Sequence, residues 1–247
     1  MTNAERLVLD LMTPERRAPR ASDVAWDARV DVAARGGAIA TWSAGRGPAV
    51  LLAHGWETDH ADMDAFVAPL VAAGRRVTAF DLPAHGESAG DRASLLDLAA
   101  GLADTAAALG PLDAIVAHSV GCAASAIALA NGLRVRKVAF VAPPLRYADF
   151  VRFYAERHGI APEELAAAFA GLGIDITQLD IRTNAATLDV PLLIVHSTDD
   201  RVCASSNATK IAAVWKKSSV ELREGLGHAR ILRDPDVVAR IVAFVTG

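Results

Sequence analysis

From Pro48 onward the chain alternates between two kinds of apolar segment. Ala49–Ala53, Val77–Phe80, Leu112–Ala117, Val138–Val141 and Leu192–Val195 are short apolar runs with no regular polar phase. Runs of that length and character belong to strands buried on both faces, as in parallel sheets. Between them lie helical patterns at Met63–Ala73 and Leu95–Leu109. The second places Leu95, Leu98, Ala99, Leu102 and Ala106 on one stripe and opens with Ser94 and Asp97 as a capping pair. The Ala-rich stretch Cys122–Ala130 and the segment Ile211–Trp215 continue the alternation as helices, and Val220–Arg223 predicts a last strand. Val237, Val238, Ile241, Val242 and Val245 then form a closing amphipathic helix that starts at Asp234-Pro235. Ahead of this series, Val24–Val32 and Ala38–Ser43 are strand candidates with imperfect alternation, preceded by a loose lead ending near Arg20. Strand and helix in alternation predict an α/β protein with a mostly parallel central sheet of about eight strands flanked by helices. Only residues 143–190 break the rhythm, with helices expected at Tyr147–Arg157 and Pro162–Leu172 and no strand. They are expected as a small helical cap inserted into a single domain spanning 1–247.

Composition narrows the function classes. The 247 residues are 52% hydrophobic and 22% charged, with 25 Lys and Arg against 29 Asp and Glu. That is too apolar for a disordered chain, and a net charge of -4 provides no field for a phosphate backbone, so no nucleic-acid partner is expected. Apolar runs such as Ala123–Ala130 stop well short of the roughly 20 residues of a membrane span. Two cysteines, Cys122 and Cys203, make no disulfide framework and have no metal-type spacing. Met1–Met12 carries Glu5 and Asp10 and lacks the layout of an export signal, so a cytoplasmic location is expected. No HExxH, GxGxxG or GxxxxGK[ST] pattern is present, so neither a metal nor a dissociable cofactor is expected.

Function in a parallel α/β sheet collects at the carboxyl ends of the strands. At one such tip stands Ala117-His118-Ser119-Val120-Gly121, a small-x-Ser-x-small pattern running straight into a helix. A sharp strand-to-helix turn of this kind needs small neighbours and projects its central hydroxyl outward. The plain structural alternative is a serine that caps the helix. A second tip, Ala53-His54-Gly55-Trp56, could aim backbone N–H groups at an anion, and the amides of Trp56 and Val120 together would suit an oxyanion hole; a simple glycine turn would look the same. A third places Asp199 and Asp200 beyond His196, and a fourth is a flexible loop, Gly225-Leu226-Gly227-His228. A lone Asp pair is ordinary turn chemistry and a lone His an ordinary surface residue. Their joint chain order, Ser119, Asp200, His228, is that of one particular catalytic triad.

With HGW after the third strand, DLPAHGES at Asp81–Ser88, AHSVG, HSTDDRV and GLGH, the sequence resembles the α/β-hydrolase fold family, its small-cap serine esterase-like members above all. The resemblance runs from about Pro48 to the C-terminus. It implies Ser119 as nucleophile, His228 as general base and Asp200 as the acid, since the acid stands directly before the Arg201-Val202 pair. Ala117 replaces the commoner Gly of the elbow, and Ser197 stands where Gly is frequent. His85 and His118 match positions that hold loops together, and Cys122 reads as either a reactive thiol or a small core residue. A serine rather than an aspartate at the elbow points to acyl transfer on a small-molecule ester-like substrate. The aromatic cap residues Tyr147, Phe150, Phe153 and Tyr154, with Leu145 and Phe169 nearby, either line an apolar acyl pocket or pack the cap down. Thioesterase, acyltransferase or C–C hydrolase chemistry, or a ligand-binding receptor on the same fold, are the alternatives. Nothing in the pattern fixes an oligomeric state.

Overall fold

The apolar runs pair into one eight-stranded sheet, described in a computed structural model for residues 1–16 and 22–247. The strands are β1 (Ala28–Ala34), β2 (Gly37–Ala44), β3 (Ala49–Ala53), β4 (Arg76–Phe80), β5 (Leu112–His118), β6 (Lys137–Val141), β7 (Leu192–Ser197) and β8 (Ser218–Arg223), in the order β1-β2-β4-β3-β5-β6-β7-β8. β2 runs antiparallel to both its neighbours, and every pairing from β4 to β8 is parallel. The unbroken apolar runs are explained by burial on both faces. Leu51, Ala53, Ile115, Ala117, Phe140 and Ile194 point into one core, and Val50, Leu52, Val116, Val141 and Val195 into the other.

One core is covered by α3 (Leu95–Leu109), α4 (Val120–Ala130) and α8 (Ser206–Ala212), the other by a 3₁₀ turn at His60–Phe66, α2 (Val67–Ala72) and α10 (Pro235–Thr246). The expected reciprocal cap is present: Ser94 Oγ accepts from the Asp97 amide, and the Asp97 side chain accepts from the Ser94 amide. Between β6 and β7 lie α5 (Tyr147–Arg157), α6 (Pro162–Gly171) and α7 (Ile181–Ala185), and between β8 and α10 lies the short α9 (Gly227–Arg230).

Four expectations need correction. The lead is not loose throughout: α1 (Asn3–Leu11) is a helix with a Thr2–Glu5 capping box that buries Ala4, Leu7, Val8 and Leu11, and it packs on α6. Its apolar stripe at i, i+3, i+4, i+7 finds a partner that is distant in sequence. The end of the lead, expected near Arg20, lies outside the described residues. β1 starts at Ala28 rather than Val24 because Ala28 pairs with Ser43 next to the end of β2, so the residues before it run past their ladder partner; it is the sheet's outer strand, largely exposed and carrying Arg29 and Asp31. The helix expected at Ile211–Trp215 is Ser206–Ala212, with Trp215 beyond its end and buried. The segment around Gly227-His228 is a helical turn rather than an open loop.

Candidate active site

Parallel pairing brings the carboxyl ends of β3, β5 and β7 to one edge of the sheet, with α9 beside them. At the end of β5, Ser119 has φ 51° and ψ -124°, a conformation costly for a residue with a Cβ. Glu57, Ala84 and Ala142 also have positive φ, and they follow β3, β4 and β6. Backbone strain in the described residues therefore gathers at this edge. Gly121 is small for a concrete reason: a Cβ there would come within 2.5 Å of the His54 carbonyl oxygen and 2.8 Å of that of Ala53. The Ser119 side chain does not cap α4, which removes the plain structural reading of the pattern.

The hydroxyl is engaged elsewhere. Ser119 Oγ donates to His228 Nε2 at 3.0 Å, and His228 Nδ1–H donates to Asp200 Oδ2 at 2.7 Å. Asp200 is enclosed, and it accepts four N–H donors. His228 and His196 (3.1 Å) reach Oδ2, and the amides of Val202 (2.8 Å) and Cys203 (2.9 Å) reach Oδ1. Burial by itself would raise the Asp200 carboxyl; the hydrogen bonds from His196, His228 and the Cys203 amide, with the adjacent His228 charge, outweigh it and hold the group well below the usual carboxylate range. Asp199, one residue earlier, is exposed and holds the Ser197 hydroxyl and the Gly227 amide instead. Such a chain can take a proton from a serine hydroxyl and keep the resulting imidazolium beside a carboxylate.

Two further histidines hold the frame. His118 Nε2–H donates to the His228 carbonyl at 3.0 Å, and the two rings lie 4.7 Å apart. Burial, followed by the charge of His228, lowers His118 to about 3, so it stays neutral. His54 Nδ1–H donates to the Gly55 carbonyl at 2.7 Å while Nε2 accepts from the Leu82 amide at 2.9 Å. Burial and neighbouring His85 bring His54 to about 3 as well. Asp81 anchors the next loop by accepting from the amides of His60 and Glu87. His85 Nδ1–H donates to the Pro83 carbonyl, and its ring meets Trp56 edge-on at 4.8 Å. Cys122 is a core residue: it is fully buried, which pushes its thiol well up, and it points at the Ala117 carbonyl.

A cavity of about 1390 Å³ opens over Ser119 and His228. Trp56, Val120, Tyr147, Phe150, Phe153 and Tyr154 line it, along with Leu11, Leu98, Ile127 and Leu145. Phe169 does not; it is buried and packs edge-on against Tyr147. Phe153 sits at the mouth, 56% exposed. Two contributors escaped the sequence reading. Leu11 arrives from a helix whose partner is remote in the chain. His196 was marked only as part of a motif, although a histidine inside the buried run Leu192–Ser197 was itself a signal, since a buried polar ring needs a partner.

The model of the alpha/beta hydrolase family matches residues 50–241. The chain belongs to that family. Among curated relatives, this hydrolase is similar to a non-heme haloperoxidase of Rhodococcus erythropolis, 26% identical over 83% of this chain and 93% of the relative. Among solved structures, an esterase of Pyrococcus furiosus superposes with a TM-score of 0.75 at 16% identity, covering 95% of this chain and all of the other. An esterase of Exiguobacterium antarcticum superposes with a TM-score of 0.69 at 18% identity, over 88% of this chain and 99% of the other. At these identities the structural likenesses establish the fold. No described helix is long and apolar enough to cross a membrane.

Proposed function

We propose that this hydrolase is a serine esterase that cleaves carboxylic esters of small or medium apolar acyl groups through an acyl-enzyme. The observation that carries the reading is the continuous chain from Ser119 Oγ through His228 to Asp200, at 3.0 and 2.7 Å. Ser119 attacks the ester carbonyl as His228 takes its proton, Asp200 holds the imidazole's orientation, and His228 returns the proton to the departing alkoxide. Water then repeats the sequence on the acyl-enzyme.

The tetrahedral oxyanion is received by the amides of Trp56 and Val120. Support comes from the register. Ala53 pairs with Ala117 in adjacent parallel strands, so the two amides each stand three residues beyond a paired position. Val120 is also the first residue of α4, where a helix N–H has no partner within the helix. Residues 143–190 form the cap of a single domain, and Tyr147, Phe150, Phe153 and Tyr154 hold the acyl group. The cap contributes Leu145, Tyr147, Phe150 and Tyr154 to the cavity that Ser119 opens into, which supports an acyl site under it. A cytoplasmic location accords with two free cysteines.

The test pairs a serine-directed fluorophosphonate with a panel of p-nitrophenyl esters and acyl thioesters of rising chain length. Labelling is expected on wild type and lost in Ser119→Ala, with kcat down about 10³- to 10⁶-fold. Near wild-type turnover in folded Ser119→Ala sinks the reading. Faster turnover of thioesters than of matched esters would move the assignment to a thioesterase.

A further inference from the structure

His196 lies in β7, between β6 and β8, in a stretch of strand that is otherwise filled with side chains suited to a buried sheet. Its side chain has no exposure. Nε2 sits 3.1 Å from Asp200 Oδ2 and 3.0 Å from the Cys203 carbonyl oxygen. Both partners are acceptors, so Nε2 carries the proton and donates to both. Nδ1 is buried and has no hydrogen-bond partner among the described residues. A leucine or phenylalanine would fill the same strand position without leaving a buried ring nitrogen unpartnered, which is costly for a polar group. The ring's contribution is therefore to be sought at its donor end.

That donor reaches the acid at a particular oxygen. Oδ1 of Asp200 is pinned by the Val202 and Cys203 amides, both from the acid's own loop. Oδ2 is the oxygen that receives His228 Nδ1–H, and His196 is its second donor. Through the Cys203 carbonyl, the same N–H also ties the far end of that loop back to β7.

We propose that His196 is a positioning residue: its Nε2–H, given to the oxygen that holds His228, keeps the Asp200 carboxylate in line with the imidazole and tempers the negative charge it offers. The proposal rests on the reading of Ser119, His228 and Asp200 as the proton relay. A hydrogen bond to Oδ2 withdraws charge from the carboxylate. Without it, Asp200 stabilises the imidazolium more strongly, so the base is protonated up to a higher pH, while the carboxylate gains freedom to turn out of line. The two effects give a signature that lost packing does not: a lower kcat, together with an acid limb of kcat/KM moved to higher pH. The other titratable or charged groups around the pair are His118 on β5, Cys203 and Arg201 after Asp200, Asp199 before it and Arg230 on α9. Substitution at 196 leaves all of them in place.

The experiment compares wild type, His196→Leu and His196→Gln on p-nitrophenyl butyrate from pH 5 to 9, with melting temperatures recorded alongside. His196→Leu is expected to lose about 10- to 100-fold in kcat, the range typical of groups that orient a functional side chain, with KM little changed and the acid limb displaced upward. His196→Gln, which can still present an N–H, is expected to recover most of the rate and return the limb toward its wild-type place. A folded His196→Leu with wild-type kcat and an unmoved limb overturns the proposal, as does His196→Gln no better than His196→Leu at equal melting temperature. Should His196→Leu not fold, ¹⁵N NMR of the wild-type imidazoles decides: protonated Nε2 and bare Nδ1 at His196 support it, and a protonated Nδ1 refutes it. Fluorophosphonate labelling of wild type separates the two failures, because it stays intact when only the role of His196 is wrong.

Discussion

Asp199 and Asp200 carry the same side chain one residue apart, yet the Asp200 carboxylate is enclosed by four N–H donors while that of Asp199 is exposed and braces the Gly227 amide. Substituting each tests which of them supports the base. Asp200→Asn puts an amide N–H among donors and disturbs the His228 tautomer, so kcat is expected to fall about 10⁴-fold. Asp199→Asn keeps an acceptor toward Gly227, and the loss is expected to stay within about tenfold. Steady-state kinetics on both folded variants checks this, and a more crippled Asp199→Asn would transfer the acid role. That Ser119, the Asp199–Asp200 pair and His228 follow one another at successive strand tips was readable from the sequence. The choice between the two aspartates was not, because spacing carries no information on burial; the sequence could only lean on a resemblance.

At the scale of elements, α5 faces two ways. Val151 and Ala155 are buried, whereas Tyr147, Phe150 and Tyr154 turn toward the cavity, and Phe153 stands at its mouth. The aromatic cluster was visible in the sequence, but its two readings, pocket and packing, share one helical periodicity and separate only in three dimensions. The geometry divides the residues: Phe169 packs, and Tyr147 and Phe150 line the cavity. Accordingly, Phe153→Ala is expected to shift stability by no more than about 0.5 kcal/mol while changing the preference among acyl chain lengths. Leu165→Ala, in the buried face of α6, is expected to cost about 2–5 kcal/mol. Urea denaturation read beside the ester panel distinguishes them, and equal destabilisation by the two would return α5 to pure packing. The same assay applies to α1. Leu7→Ala should lower stability by about 2–5 kcal/mol, a cost that a loose lead would not show.

For the molecule as a whole, several buried groups respond to pH through their difference from the unfolded chain. His54 and His118 are held at about 3 by burial, against about 6.5 when unfolded. The unfolded state therefore binds more protons between those values. The stability they support is full above about pH 6.5 and is lost progressively as pH falls toward 3. Asp81 and Asp200 are buried carboxylates whose hydrogen bonds from histidines and loop amides hold them below their ordinary value, so their contribution is present above about pH 4 and is lost below it. The melting temperature is expected to decline from pH 7 to 4, steepening below 4. His118→Gln, which keeps a side-chain donor for the His228 carbonyl, should flatten the upper part of that decline. A melting temperature constant from pH 7 to 4 contradicts the assignment of neutral buried histidines.

The chain by itself determined the architecture. Unbroken apolar runs, helical stripes, Ser94 and Asp97 at a helix start and a small-x-Ser-x-small turn are local constraints, and each is satisfied or violated within a few residues. Tertiary structure alone decided which of the two aspartates meets His228, that His196 shares that carboxylate, that His118 grips the His228 backbone, and that α1 reaches across to α6 and brings Leu11 to the cavity. Those contacts join residues brought together by strand order and register, and their strength depends on burial, which a linear pattern of side chains does not specify.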